Sequence, residues 1–273
     1  MRYLSKITKI IEVEQSLSPN MMRPDLEVCV FSVESCLNAQ FAGAQRVELC
    51  GGFLEGGTTP SAGLIEQVRG ILHIDIHVMI RPRGGDFLYD GWEFETMMKD
   101  IKIAKNYGAN GVVFGVLTQN GKIDLPRTRA LVALAKPLKV TFHRAFDMTP
   151  DPLEALEMVI ETGAHAILTS GHRQTAVEGV ETIAQLVAAA AGRIKIMAGA
   201  GITAQNALQI AATGVDTLHL TGKTARASQM QFRQPNIQMA TAAPASEYEV
   251  MFSDAAKIAA IQRLFLPSDD APF

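Results

Sequence analysis

A chain of 273 residues, 48% hydrophobic and 19% charged, is long enough to bury the full core of one large domain. Its formal charge of -3 and the lack of any basic run give no electrostatic footprint for nucleic acid. Its apolar runs, such as residues 186–191, are far shorter than the roughly 20 residues that cross a bilayer, so no membrane partner is expected.

The first twenty residues carry Lys6, Lys9, Glu12 and Glu14 without a continuous apolar stretch, which predicts no secretory signal and a cytoplasmic location. Three cysteines, Cys29, Cys36 and Cys50, do not make a disulfide framework and read as reduced thiols. Residues 1–25 read as an N-terminal extension, 26–266 as one domain and 267–273 as a C-terminal tail.

From residue 26 the chain alternates strand and helix. Strands are predicted at 26–31, 46–50, 75–81, 112–116, 139–143, 166–169, 194–198 and 217–220. Helices are predicted at 32–41, 59–72, 94–107, 126–135, 152–162, 177–191, 204–213 and 254–265, the last after a Gln/Ala/Ser-rich segment at 224–250. Ser32 has the side chain of a helix cap, and Thr59-Pro60 suits a helix start because proline tolerates the first helical position. Four times a helix ends at a glycine and a strand follows, at Gly43, Gly108, Gly163 and Gly214, spacings of 65, 55 and 51 residues. Glycine stops a helix there by entering the left-handed region. Two strands and two helices repeated four times predict an α/β fold, a TIM (β/α)8 barrel. A doubly wound open sheet is the alternative, but the Gly-x-Gly-x-x-Gly turn after its first strand is missing.

In a barrel, one face of each strand meets the helices and must be apolar. Glu27, Glu48 and His77 therefore point inward, and same-face parity carries Cys29, Cys50 and Met79 inward with them, as neighbours in one layer. Soft sulfur donors select Cu(I), although most such groupings of Cys and Met are simple core packing. Charged groups inside a barrel are costly unless paired or used, so Glu27, Glu48, His77, Arg81 and His143 are candidate catalytic residues. The bland alternative is a salt-bridge network that closes the barrel.

Arg81 ends its strand before Pro82, and Arg83, Gly84, Gly85 and Asp86 form a polar loop able to approach a ligand. Asp147 follows His143-Arg144 beyond strand five; an acid near a histidine suits proton transfer. Thr141 shares the inward parity of His143, and strand eight places His219 and Thr221. Glu55 to Ser61 lie on the same rim. Gly199 and Gly201 after strand seven and Gly222 after strand eight lie where barrels hold phosphate on backbone N–H groups. Lys139 and Lys195 open their strands, at the opposite mouth, so no Schiff-base lysine is expected.

Glu27-Val28-Cys29, Arg46 to Cys50, Glu55-Gly56-Gly57 with Thr59-Pro60-Ser61, Ile80 to Phe87, Thr141 to Asp147, Leu168 to Gly171 and Met197 to Gly201 together resemble the CutC family, known as copper homeostasis proteins. The resemblance spans about residues 26 to 265. It implies a TIM barrel, a cytoplasmic location, a homodimer or higher oligomer, and a role in copper handling, with Cu(I) ligands falling on Cys29 and Cys50.

Two functions are consistent with these residues. One is Cu(I) binding in trafficking or tolerance. The other is a TIM-barrel enzyme with no copper role, acting on a small, possibly phosphorylated, anion held by Arg81 and Arg83 and by the strand-seven glycines, with Glu48 or His143 moving a proton. A third is an interaction protein whose 224–250 segment docks a partner.

Overall fold

In a computed structural model of the chain, residues 23–234, 236–237, 239 and 247–266 are described. Most of the expected extension and all of the expected tail lie outside them.

Eight short strands, β1 (Asp25–Val30), β2 (Arg46–Leu49), β3 (Asp75–Met79), β4 (Gly111–Phe114), β5 (Lys139–Phe142), β6 (Ala166–Thr169), β7 (Lys195–Ala198) and β8 (Thr217–Leu220), pair in sequence order and close into a barrel. Each pair is parallel, and β8 returns to β1 with Glu27 directly opposite His219. Closure excludes the open-sheet alternative.

Alternating side chains explain why the strands form this wall. Val28, Val47, Val78, Val112, Phe142, Ile167, Ile196 and Leu218 face outward into a continuous core beneath the helices. Each such side chain contributes about 1.5–3 kcal/mol by leaving water. Residues of the other parity form separate clusters inside the cylinder: Cys29, Cys50, Met79 and Val113 on one side, Ala166, Leu168 and Met197 on the other.

The outer layer is α1 (Val33–Phe41), α2 (Ala62–Arg69), α3 (Gly91–Asn106), α4 (Leu125–Ala135), α5 (Pro152–Thr162), α6 (Val180–Ala190), α7 (Ala207–Ala211) and α8 (Ala255–Arg263). Ser32 caps α1, and Asp90 with Glu93 forms a reciprocal capping box on α3. The four helix-ending glycines all have positive φ, between 77° and 86°, as the repeat required.

The structure departs from the sequence reading in several places. Thr59-Pro60 does not start a helix: the Thr59 N–H donates to the Arg81 carbonyl and its hydroxyl accepts from the Arg81 N–H, so the segment stays extended and Ser61 caps α2. Helix α7 is far shorter than 204–213, because Asn206 spends its side chain on Thr203 and Gly201 in the preceding turn. The sequence predicts no strand in the 224–250 segment, but β9 (Lys223–Ala227) and β10 (Glu249–Ser253) pair antiparallel as a ribbon beside the barrel mouth. A 3-10 turn, Arg144–Met148, follows β5.

Two glycines of β4 and its end make room for the imidazoles. A Cβ on Gly111 would lie 2.5 Å from the His77 ring, and one on Gly115 would lie 2.7 Å from His143. Gly111→Ala is therefore expected to lower stability by about 1–3 kcal/mol in urea unfolding, as overpacking does. Combined with His77→Ala the loss should be much less than additive, because the clash is gone; full additivity would show that the ring is not what the glycine accommodates.

Candidate functional site

The site grows from one buried carboxylate. Glu27 is fully buried inside the barrel, and the pleat leaves it no route to water. Arg46, from the neighbouring β2, donates its Nε to Glu27 Oε2. His219, from β8, donates its Nδ1–H to Glu27 Oε1 at 2.8 Å. Burial alone would favour the neutral acid, but Arg46 and then His219 overcome it and hold the carboxyl far below the ordinary range.

His219 turns its Nε2 toward the cavity. Its nitrogen, Cys29 Sγ and a Glu48 oxygen all lie within 4.8 Å of one another. Burial works against a charged imidazole, yet Glu48, Cys29 and Glu27 hold it protonated well above its usual range. Cys29 in turn lies 3.7 Å, sulfur to sulfur, from Cys50, and both are free thiols. Hydrogen bonding from Cys50, against burial and with help from His219, lowers Cys29 to about 6. Burial and the neighbouring Cys29 push Cys50 well up, and burial with the same Cys29 charge pushes Glu48 well up. Of the two adjacent thiols, Cys29 is thus the readier to ionise.

These groups form the floor of an open cavity of about 940 Å³ at the C-terminal ends of the strands, within the range of small-molecule sites. Cys29, Glu48, Met79, Arg81, His143 and His219 line it, as do Gly201 and Gly222 at the mouth. Cys50 is fully buried behind Cys29. Gly199 lies against the His219 ring, 3.3 Å from a hypothetical Cβ, and its N–H is spent on the Thr169 carbonyl.

Other candidates are placed elsewhere. Glu27 and His77 lie inside the barrel but outside the cavity lining, and burial holds His77 down to about 4 despite Glu27 nearby. Asp147 is engaged by Arg144, Thr169, Ser170 and the His172 N–H, so its carboxylate shapes the loop after β6. Arg83 faces away from the cavity and pairs with Asp86 and Glu93. The sulfurs do cluster, but not as one level layer: the stagger of a closed barrel sets Cys29 beside Glu48, and Glu48 beside His77. Sequence reasoning placed His219 inward without giving it a role, and overlooked Arg46. Both answer a signal that was present, since a buried acid demands cations on the adjoining strands.

Comparison with known proteins agrees with this architecture. The family model described as CutC family matches residues 25–224. A mouse protein named copper homeostasis protein cutC homolog is 49% identical over 85% of this chain and 86% of its own length. The human protein of the same name is 47% identical over the same shares. A solved structure described as copper homeostasis protein CutC from Streptococcus agalactiae superposes with a TM-score of 0.70 at 36% identity, covering 73% of this chain and 99% of that one. Barrel enzymes such as an aldolase (TM-score 0.58, 17% identity) share the fold alone. A matched model over most of the chain and relatives at this identity make the protein a member of the CutC family.

Proposed function

We propose that the protein acts in copper homeostasis by binding Cu(I) between Cys29 and Cys50, as a cytoplasmic, homodimeric carrier or tolerance factor. The observation that supports this most is the pair of sulfurs 3.7 Å apart. Metal–sulfur bonds of about 2.3 Å each can reach one ion from any separation up to about 4.6 Å, so the pair fits a shared ion without rearrangement. The donor set is soft, with the Met79 thioether in the same cluster, and soft ligands favour Cu(I) over the harder divalent ions. The names of the mouse and human relatives point the same way. His219 beside the pair, raised by its acidic neighbours, balances thiolate charge.

A second reading is a TIM-barrel enzyme acting on a small anion. It draws on the cavity itself, which is far larger than a single ion needs and has Arg81, Lys223 and Lys257 in its walls.

Anaerobic titration of reduced protein with Cu(I) should show about one tight equivalent. Cys29→Ser combined with Cys50→Ser should abolish it, with unfolding curves confirming the fold. Unchanged tight binding in the double variant would remove the reading.

The thiols also fix the proton stoichiometry. Cys29 is lowered to about 6 and is a thiolate at neutral pH, whereas Cys50 is raised and keeps its proton. Engaging both sulfurs at pH 7 should release about one proton per ion, rising toward two as the pH falls below Cys29's value. Calorimetry in buffers of different ionisation enthalpy measures this. Release of about two protons at pH 7 would mean that Cys29 is not ionised in the free protein.

A further inference from the structure

On the wall formed by the ends of β3 and β5, two buried donors have no acceptor among the described residues. Arg81 is only 7% exposed, and its terminal nitrogens are committed: Nη1 donates to the Glu55 and Gly57 carbonyls, Nη2 to that of Gly85. The remaining Nε–H has no partner. His143, 4% exposed, accepts the Ala145 N–H at Nδ1, which fixes the neutral ring as the tautomer with its proton on Nε2. That Nε2–H also has no partner. Burial, with Arg81 nearby, lowers His143 to about 3, so it stays a neutral donor across the physiological range. The Phe87 ring joins the two, with the guanidinium carbon 5.1 Å and the imidazole 4.9 Å from its centroid. Both residues line the cavity.

A buried N–H without an acceptor is costly, and two in one wall, one of them on a cation, are complementary to an oxygen anion. Among the described residues, Glu48 is the single carboxyl group in the cavity wall, and it belongs to the thiol cluster on β1, β2 and β8. The remaining space is walled largely by Phe31, Phe53, Leu54, Leu168 and Ile202, which suits an apolar body rather than an inorganic ion. Lys223 and Lys257 stand in the wall near the mouth, where they draw in negative charge.

We propose that Arg81 and His143 form the carboxylate subsite of a small organic acid with an apolar body, bound in the barrel cavity through Arg81 Nε–H and His143 Nε2–H. The subsite deepens the anion-ligand reading and is independent of the thiol pair. In it His143 is a positioning donor rather than a general base. It also takes over the anion-holding role that sequence reasoning had given to Arg83.

The test is a calorimetric titration of the full metal-free chain with phenylacetate, hexanoate and 2-oxohexanoate, beside benzyl alcohol, benzyl phosphate and inorganic phosphate. At least one carboxylate should bind more tightly than benzyl alcohol by about tenfold or more. His143→Phe, which keeps a ring and loses the donor, should weaken that carboxylate by about tenfold. Arg81→Lys, which keeps the charge and loses the Nε–H, should do the same. Because Arg81 also ties down loop carbonyls, unfolding curves for each variant accompany the titration, and His143→Phe alone decides the matter if Arg81→Lys does not fold. Carboxylate binding unchanged in His143→Phe overturns the subsite while leaving an anion ligand in place. Failure of every anion to bind overturns the subsite and the anion-ligand reading together. Benzyl phosphate binding best, with no loss in the variants, overturns the subsite in favour of the glycine rim.

Discussion

The barrel depends on keeping a charge where no water reaches. Glu27 lies opposite His219 across the β1–β8 seam and beside Arg46 of β2, so one carboxylate bridges three strands at the place where the sheet closes on itself. An unpaired carboxylate at that depth would be unfavourable by several kcal/mol. Paired with two cations it is ionised, but the pairing leaves one positive charge over. Cys29, pulled toward its anion, answers it. The shifts run together across the cluster: Glu27 and Cys29 are drawn toward their anions, Arg46 and His219 toward their cations, and Glu48 and Cys50 toward their neutral forms.

The closing network and the chemistry are therefore one object. Cys29, drawn toward its anion beside the seam, also lines the cavity. Here the imidazole that neutralises Glu27 on one nitrogen reaches the cavity with the other, and so carries the demands of the seam to Cys29. The asymmetry of the two thiols follows. Cys29 is lowered chiefly by its hydrogen bond with Cys50, with His219 adding to it, and Cys50 is raised by burial and by the Cys29 charge beside it. The depth of the pair, with Cys50 fully buried, means that a ligand reaches it only through the cavity.

Much of this was legible in the residues. Alternation of period two gave the eight strands and their inward faces, since only one parity could accept Glu27, Glu48 and His77. The glycines that stop the helices gave the repeat, because each needs a positive φ that few other residues adopt. What was not legible depends on contacts between distant segments. Stagger between strands, which sets Cys29 level with Glu48, comes from barrel closure and leaves no local mark. Thr59 is held extended by Arg81, 22 residues on, where proline alone suggested a helix. The ribbon of β9 and β10 joins two short segments across a long polar stretch, neither of which the sequence predicts as a strand. Gly111 and Gly115 were signals left unused: glycine inside a strand marks a close approach, and the approaching groups are the two imidazoles.

The electrostatics of the mouth bear on both readings. Arg81, Arg144, Lys223 and Lys257 line the cavity, whereas Glu48, the single carboxyl in the wall among the described residues, is pushed toward its neutral form. Such a lining repels a free monovalent cation and attracts an anion, more strongly at low salt because screening is weaker there. An organic acid would be drawn directly to the donors on β3 and β5. On the proposed Cu(I) role a bare ion would meet the opposite field, so delivery as an anionic complex with donor thiolates would be the favoured route. The field at the entrance and the soft donors on the floor are thus compatible when the ion arrives already coordinated and is passed from one set of sulfurs to the next.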